Sequence, residues 1–300
     1  MPSPEHEALV AALQESAGPT EAPTVDEQRA NYEALLGANP MAEDVTVEEI
    51  SIEHVNADWI TVPQSRADRV ILYLHGGGYM IGSNRAYREY GGRLARAAQA
   101  RVCVLNYRLA PEHPFPAAVD DAVMAYQWLL NDGVRPNQIV IAGDSAGGGL
   151  TLATLFRLRD AALALPAGAA LLSPWVDLEG TGASSAPGAV DDPLVSQEAL
   201  QNMSAAYAAR DLRHPLASPL HGDFAGLPPL LIQVGTREIL LDDAVRTADK
   251  ARAAGVEMCY FAGEDLIHVW PVLIASAPES VAAVEQIGDF VASRTADRPG

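Results

Sequence analysis

The sequence predicts an α/β fold: a mostly parallel sheet with helices on both faces and a helical cap. Three observations carry this. Apolar runs of strand length alternate with helical patterns along most of the chain, which implies parallel strands joined by crossover helices. The 300 residues, 49% of them hydrophobic, suffice for one sizeable core or two small ones. Two stretches, residues 1–44 and 179–215, fall outside the alternating rhythm.

In chain order, "SPEHEALVAALQES" and "VDEQRANYEALLG" read as helices with apolar faces, joined by the Pro-rich "AGPTEAPT". "VTVEEISI" and "DWITV" read as early strands. "RVILYLHGGGY" is a buried strand running into a Gly-rich loop. "YREYGGRLARAAQA" reads as a helix, "RVCVLNY" as a strand, and "PAAVDDAVMAYQWLLND" as a helix opened by Pro116. "NQIVIAG" is a strand, "GGGLTLATLFRLRD" a helix and "GAALLSPWVD" a strand. Residues 179–215 are rich in Gly, Ala, Ser, Pro and acids, with one helical piece from Glu198 to Ala209. The rhythm resumes with the strand "PPLLIQVG", a helix from Asp242 to Ala254, the strand "VEMCYFA" and a last helix from Pro278 to Arg294. This divides one domain into N-terminal cap helices (1–44), core (45–178), cap insertion (179–215) and core again (216–300). The cap pieces are expected over the carboxyl ends of the strands, where open α/β sheets place their sites.

Composition excludes several function classes. Lys+Arg number 20 against 39 Asp+Glu, a formal charge of −19. Such a chain repels phosphates, so non-specific nucleic-acid binding is not expected. No stretch reaches the 18 uncharged apolar residues of a membrane span, and the start lacks the basic and apolar regions of a signal peptide. A cytoplasmic protein is expected. Cys103 and Cys259 both lie in strand-like runs and read as core thiols. No Cys/His cluster has metal-ligand spacing, so no metal is expected.

"GDSAGG", residues 143–148, is Gly-x-Ser-x-Gly between a strand and a helix. A nucleophile elbow needs that placement: the serine sits on a sharp turn, and the flanking glycines let strand and helix pass closely. The bland alternative for Ser145 is a helix N-cap. "HGGG", residues 75–78, follows the strand "VILYL". Consecutive glycines let backbone N–H groups turn toward one point, as an oxyanion hole requires. Gly76 and Gly77 are the expected donors, joined by Ala146 after the serine. A serine nucleophile also needs a base. On a sheet of this type the chain order is Ser, acid, His. Of the seven histidines, only His268 follows both an acid-bearing strand end and one further strand. Tyr79, Trp175, Met203 and Tyr207 are expected walls for acyl and alcohol groups, with ordinary core packing as the alternative for each.

"HGGGYMIGS", "NYRLAPEHPFPAA", "GDSAGG", "SPWVDL" and "LPPLLIQVG" together resemble the bacterial hormone-sensitive lipase-like esterases, family IV of the α/β-hydrolases. The resemblance runs from about Val45 to the end, with the motifs in the family's order. It implies an α/β-hydrolase fold and a carboxylic-ester hydrolase acting on short to medium acyl esters, with no cofactor. It implies Ser145 as nucleophile and His268 as general base and then acid. Tyr107, Arg108 and Pro111 are implied as scaffold, with Asp144 and His75 holding the Gly loop. A homodimer paired through the last strand and helix is also implied. The site motifs alone leave open a deacetylase, lactonase or peptidase, because acyl transfer reuses one constellation. A non-enzymatic ligand receptor on the same fold is a further alternative, against which a retained His268 argues.

One stretch departs from the family pattern. "VGTREILLDD" carries Glu238, Asp242 and Asp243. Counting from Gly235, the first acid slot is Glu238 where the family has Asp, and the second is Asp242. Glu238 is expected to orient His268, although its side chain is one methylene longer, roughly 1.5 Å. Asp242 and Asp265 remain alternatives. Asp242 otherwise reads as a helix N-cap, and with Asp243 as solvated acids favoured by the helix dipole.

Overall fold

The computed structural model describes residues 1–16 and 23–296. The eight strands are β1 (Thr46–Ile52), β2 (Val55–Thr61), β3 (Arg66–Leu74), β4 (Ala100–Asn106), β5 (Ile139–Asp144), β6 (Gly168–Leu172), β7 (Leu230–Gly235) and β8 (Met258–Gly263). The helices are α1 (Pro4–Ser16), α2 (Val25–Leu36), α3 (Arg88–Ala98), α4 (Ala117–Asn131), α5 (Ala146–Asp160), α6 (Gln197–Ala208), α7 (Leu241–Ala253), the short α8 (Trp270–Leu273) and α9 (Pro278–Thr295). The sheet order is β1-β2-β4-β3-β5-β6-β7-β8, and every pairing is parallel except those of β2 with β1 and β4.

Side-chain alternation decides which residues meet which helices. In β3, Ile71 and Tyr73 join one core cluster with Leu94 of α3 and Ile287 and Val291 of α9. Val70, Leu72 and Leu74 join the other, with Leu129 of α4 and Leu155 of α5. Both faces of the central strands are therefore dry. This is why they read as unbroken apolar runs rather than alternating ones.

Element types match the sequence reading, and boundaries shift for identifiable reasons. β2 begins three residues before the expected "DWITV", because β1 and β2 form a hairpin with Glu53 in the left-handed region (φ 52°). β6 ends at Leu172 instead of Asp177, because Ser173 turns left-handed (φ 45°) ahead of Pro174. The four-residue α8 was not anticipated; it is too short for a periodic signal. Most of the Pro-rich linker "AGPTEAPT" lies outside the described residues.

Two expectations about side chains are corrected. Cys103 is buried in central β4, but Cys259 is exposed, because β8 is the edge strand and only one of its faces is covered. Asp242 is not the α7 N-cap; that position is Leu240. Asp242 stands in the first turn and accepts from the Ser184 N–H (3.0 Å), fastening the 179–215 segment. Asp243 is not solvated. It is 1% exposed, and its Oδ2 accepts from the N–H groups of Val176 (2.8 Å) and Asp177 (2.9 Å). The chain leaving β6 is thereby pinned to α7. No helix among the described residues is long and apolar enough to cross a membrane.

Burial pushes the Asp243 carboxyl up to about 7, against the opposing pull of the Val176 N–H. A carboxyl whose folded pKa exceeds its unfolded value favours folding while protonated. Its contribution is complete below the ordinary value of 3.8 and is lost as pH rises toward 7. Asp243→Asn removes this titration. The variant's Tm relative to wild type should therefore climb between pH 4 and pH 7, as read by thermal melts at several pH values; a constant difference would contradict the assignment.

Candidate active site

Strand β5 delivers Ser145 onto a backbone conformation that L-residues rarely adopt, φ 53° and ψ −120°. Close packing around it dictates the neighbouring glycines. A Cβ on Gly147 would lie 1.9 Å from the Leu74 carbonyl oxygen, and one on Gly143 2.3 Å from the Gly147 oxygen. Strand, turn and helix interpenetrate here in a way that only hydrogen at Cα permits. Ser145 is the first residue ahead of α5, yet its side chain makes no capping bond, so the N-cap alternative does not hold.

The loop after β3 wraps around Asp144. This buried carboxylate accepts from Tyr73 Oη (2.8 Å), Tyr87 Oη (2.8 Å) and the Gly76 N–H (2.9 Å). Burial raises its pKa to about 6, opposed by the two tyrosine hydroxyls. His75 stacks on Tyr107 at 4.2 Å between ring centroids, and Tyr107 Oη donates to the His75 carbonyl (2.7 Å). Arg108 is ion-paired with the buried Asp121 (2.7 Å). The Gly76 N–H also reaches Tyr87 Oη (3.1 Å) and is thus fully engaged away from Ser145. This corrects the expectation that Gly76 is an oxyanion donor. Gly77 and Gly78, at φ 105° and 60°, instead line the cavity beside Ser145. Among the described residues their N–H groups have no acceptor, nor has that of Ala146 at the first turn of α5.

His268 lies on the loop between β8 and α8, on the same cavity as Ser145. Its Nδ1 is 2.9 Å from Glu238 Oε2. Glu238 is 0% exposed, and its other oxygen is held twice, by Ser173 Oγ (2.7 Å) and by the Gly235 N–H (2.6 Å). Those bonds fold the longer acid back against the strand tip. Gly235 leaves the room: a Cβ there would meet the Leu266 oxygen at 2.1 Å and Glu238 Oε1 at 3.0 Å. Burial lowers the His268 pKa, but the hydrogen bond and charge of Glu238 outweigh it and leave the imidazole above its ordinary value. Asp242 bonds Ser184, and Asp265 is exposed on a turn where its N–H meets Thr236. Neither is hydrogen-bonded to His268.

The cavity holds about 130 Å³ and is mainly apolar, with Leu194, Val195, Leu200 and Met203 among its walls. Of the four expected walls only Met203 lines it. Tyr79 and Tyr207 stack on each other at 3.7 Å, and Trp175 packs beside Tyr79 at 6.1 Å. All three are buried core residues outside the cavity lining. Among the described residues, the tyrosine lining the cavity is Tyr32 of α2, which periodicity placed only on an amphipathic helix. Ser173 was also missed, although "SPW" directly after a strand marks a chain turning at a strand end. Asp177, Glu179 and His221 bring ligand atoms within 4.8 Å of one another, but the Asp177 carboxylate is already bonded to Thr181 and Arg246.

Residues 71–272 match the α/β-hydrolase fold family. A solved esterase from the bacterial hormone-sensitive lipase family superposes with a TM-score of 0.94 at 45% identity, over 98% of this chain and 99% of that one. The chain belongs to the bacterial hormone-sensitive lipase family of α/β-hydrolases. This hormone-sensitive lipase family member is 44% identical over 249 residues to an acetyl-hydrolase of Streptomyces hygroscopicus, covering 83% of each chain. It is 36% identical over 260 residues to an esterase of Acinetobacter venetianus, covering 86% of each. It is an ester hydrolase.

The elbow gives a test independent of activity. Gly147→Ala forces backbone apart at 1.9 Å. It should destabilise the protein by about 3 kcal/mol or more, at the large end of single substitutions, measured by urea unfolding; near wild-type stability would contradict this packing.

Proposed function

We propose that the protein hydrolyses carboxylic esters of short to medium acyl chains through a Ser145–His268–Glu238 triad and an acyl-enzyme. The observation carrying this is the buried Glu238 carboxylate on His268 Nδ1 at 2.9 Å, with Ser145 and His268 on one small apolar cavity. Glu238 fixes the tautomer, leaving Nε2 as the basic nitrogen. Ser145 Oγ gives its proton to Nε2 and attacks the acyl carbon. The carbonyl oxygen becomes an oxyanion held by the N–H groups of Gly77, Gly78 and Ala146, each worth about 3 kcal/mol in sites of this type. Collapse expels the alcohol, which takes the proton from His268. Water, deprotonated by the same imidazole, then releases the acid and restores Ser145.

The small cavity volume supports the short end of the acyl range. An acetylated substrate is also consistent with the acetyl-hydrolase of Streptomyces hygroscopicus. The open edge of β8, where Phe261 is 41% exposed, supports a homodimer that continues the sheet.

Ser145→Ala should lower kcat for p-nitrophenyl butyrate by about 10⁴-fold or more, with unchanged circular dichroism; activity close to wild type would end the serine mechanism. Glu238→Gln should cost about 10³- to 10⁴-fold, whereas Asp242→Ala should stay near wild type; the reverse ranking would reassign the acid. Ser173→Ala removes one bond to a charged group, about 1.5–3 kcal/mol, and should lower kcat roughly 10- to 100-fold.

Catalysis needs neutral His268, and its pKa lies above the ordinary 6.5. The acid limb of kcat/KM should therefore have its midpoint above pH 6.5 in wild type and move lower in Glu238→Gln. A wild-type limb well below 6.5 would contradict the Glu238 contact.

A further inference from the structure

Three residues on one face of α2 grip the loop that follows β3. Arg29, Tyr32 and Glu33 are spaced i, i+3 and i+4, so their side chains emerge side by side. Arg29 donates to the carbonyls of Met80 (3.0 Å) and Ala110 (3.2 Å), and its guanidinium also pairs with Glu112 (2.7 Å). Glu33 accepts from Ser83 Oγ. Between them, Tyr32 Oη bonds Tyr87 Oη at 2.7 Å.

The tyrosine contact leads inward. Tyr87 Oη donates to Asp144 Oδ2, so its oxygen is left to accept from Tyr32 and from the Gly76 N–H. Asp144 Oδ1 accepts from the same Gly76 N–H. A line of donors therefore runs from α2 to the carboxylate next to Ser145, and it fixes the peptide ahead of Gly77 and Gly78. Buried chains of this kind polarise one another, and each member depends on its neighbours being satisfied.

We propose that α2 is a clamp on the oxyanion loop, with Tyr32 as its positioning residue. Seating of the cap helix and shaping of the oxyanion hole are then one event. This rests on the assignment of Gly77, Gly78 and Ala146 as oxyanion donors given above. A residue that merely walls the cavity would act through its ring. Tyr32 acts through its hydroxyl, which points into the Tyr87–Asp144 chain.

Tyr32→Phe keeps the ring and removes the hydroxyl. With p-nitrophenyl butyrate, kcat should fall about 3- to 10-fold, the scale of one neutral hydrogen bond, with KM little changed. Binding of a trifluoromethyl ketone, whose adduct with Ser145 carries the oxyanion, should weaken by the same factor. Tyr87→Phe should lower kcat further, and the double variant should be no worse than Tyr87→Phe alone. Arg29→Gln, at the outer end of the same face, should lower kcat in the same direction. Unchanged kcat in Tyr32→Phe, a loss confined to KM, or additive losses in the double variant would each overturn the clamp. Wild type should also be labelled stoichiometrically at Ser145 by diethyl p-nitrophenyl phosphate. Failure of that labelling overturns the serine mechanism itself, whereas labelled wild type with unaltered Tyr32→Phe kinetics overturns only the clamp.

Discussion

The site depends on one constraint: a carboxylate removed from water must have its lone pairs satisfied by protein. Glu238 meets it with three partners drawn from three different strand ends. Ser173 follows β6, Gly235 ends β7, and His268 follows β8. Ser173 Oγ in turn accepts from the Val269 N–H at 3.2 Å, so the hydroxyl that orients the acid also fixes the peptide after the histidine. None of the three loops is positioned independently of the other two.

Asp144 solves the same problem one strand pair away. Its partners Tyr73, Gly76 and Tyr87 come from β3, from the loop after it and from the residue preceding α3. Asp144 thus joins β5 to the glycine loop after β3 as Glu238 joins β6, β7 and β8 to one another. Ser145 follows Asp144 directly in sequence and shares its cavity with His268, the histidine held by Glu238. The parallel sheet makes this economical, because every strand from β3 to β8 opens toward the same edge.

How legible this was in the sequence follows from how local each signal is. Ser145 and the Gly loop stood out because an elbow and a run of glycines are written in adjacent residues. His268 was found by chain order on the expected sheet. Glu238 was reached only through the family resemblance, because nothing local separates it from Asp242 and Asp243. The hydroxyl that holds its carboxylate comes from Ser173, 65 positions earlier. The Gly76 assignment failed for the same reason: its N–H is claimed by Asp144, 68 residues on, and no motif announces that. The aromatic walls failed differently. Tyr79, Trp175 and Tyr207 do lie near the site, but composition cannot tell a ring stacked beneath a cavity from one facing into it. Tyr32 shows the converse, a cavity residue hidden in an ordinary amphipathic helix.

Backbone strain gathers at the same strand ends. Ser145, Ser173 and Val269 all adopt positive φ, at 53°, 45° and 49°, without being glycine. Each such residue costs about 1–3 kcal/mol and persists only where its surroundings over-determine it. Here the surroundings do so: the Ser145 N–H donates to Leu172 (2.8 Å), the Ser173 N–H to Gln233 (2.7 Å), and the Val269 N–H to Ser173. Each strained peptide is thus bonded to the neighbouring strand end or to the residue that follows it. The dry sheet interior behind them, packed on both faces, supplies the rigidity that offsets the strain. Ser145, Ser173 and Val269 can be held off their relaxed conformations because they share one sheet edge. That shared edge explains why the site's precision and the fold's stability are properties of the same hydrogen bonds.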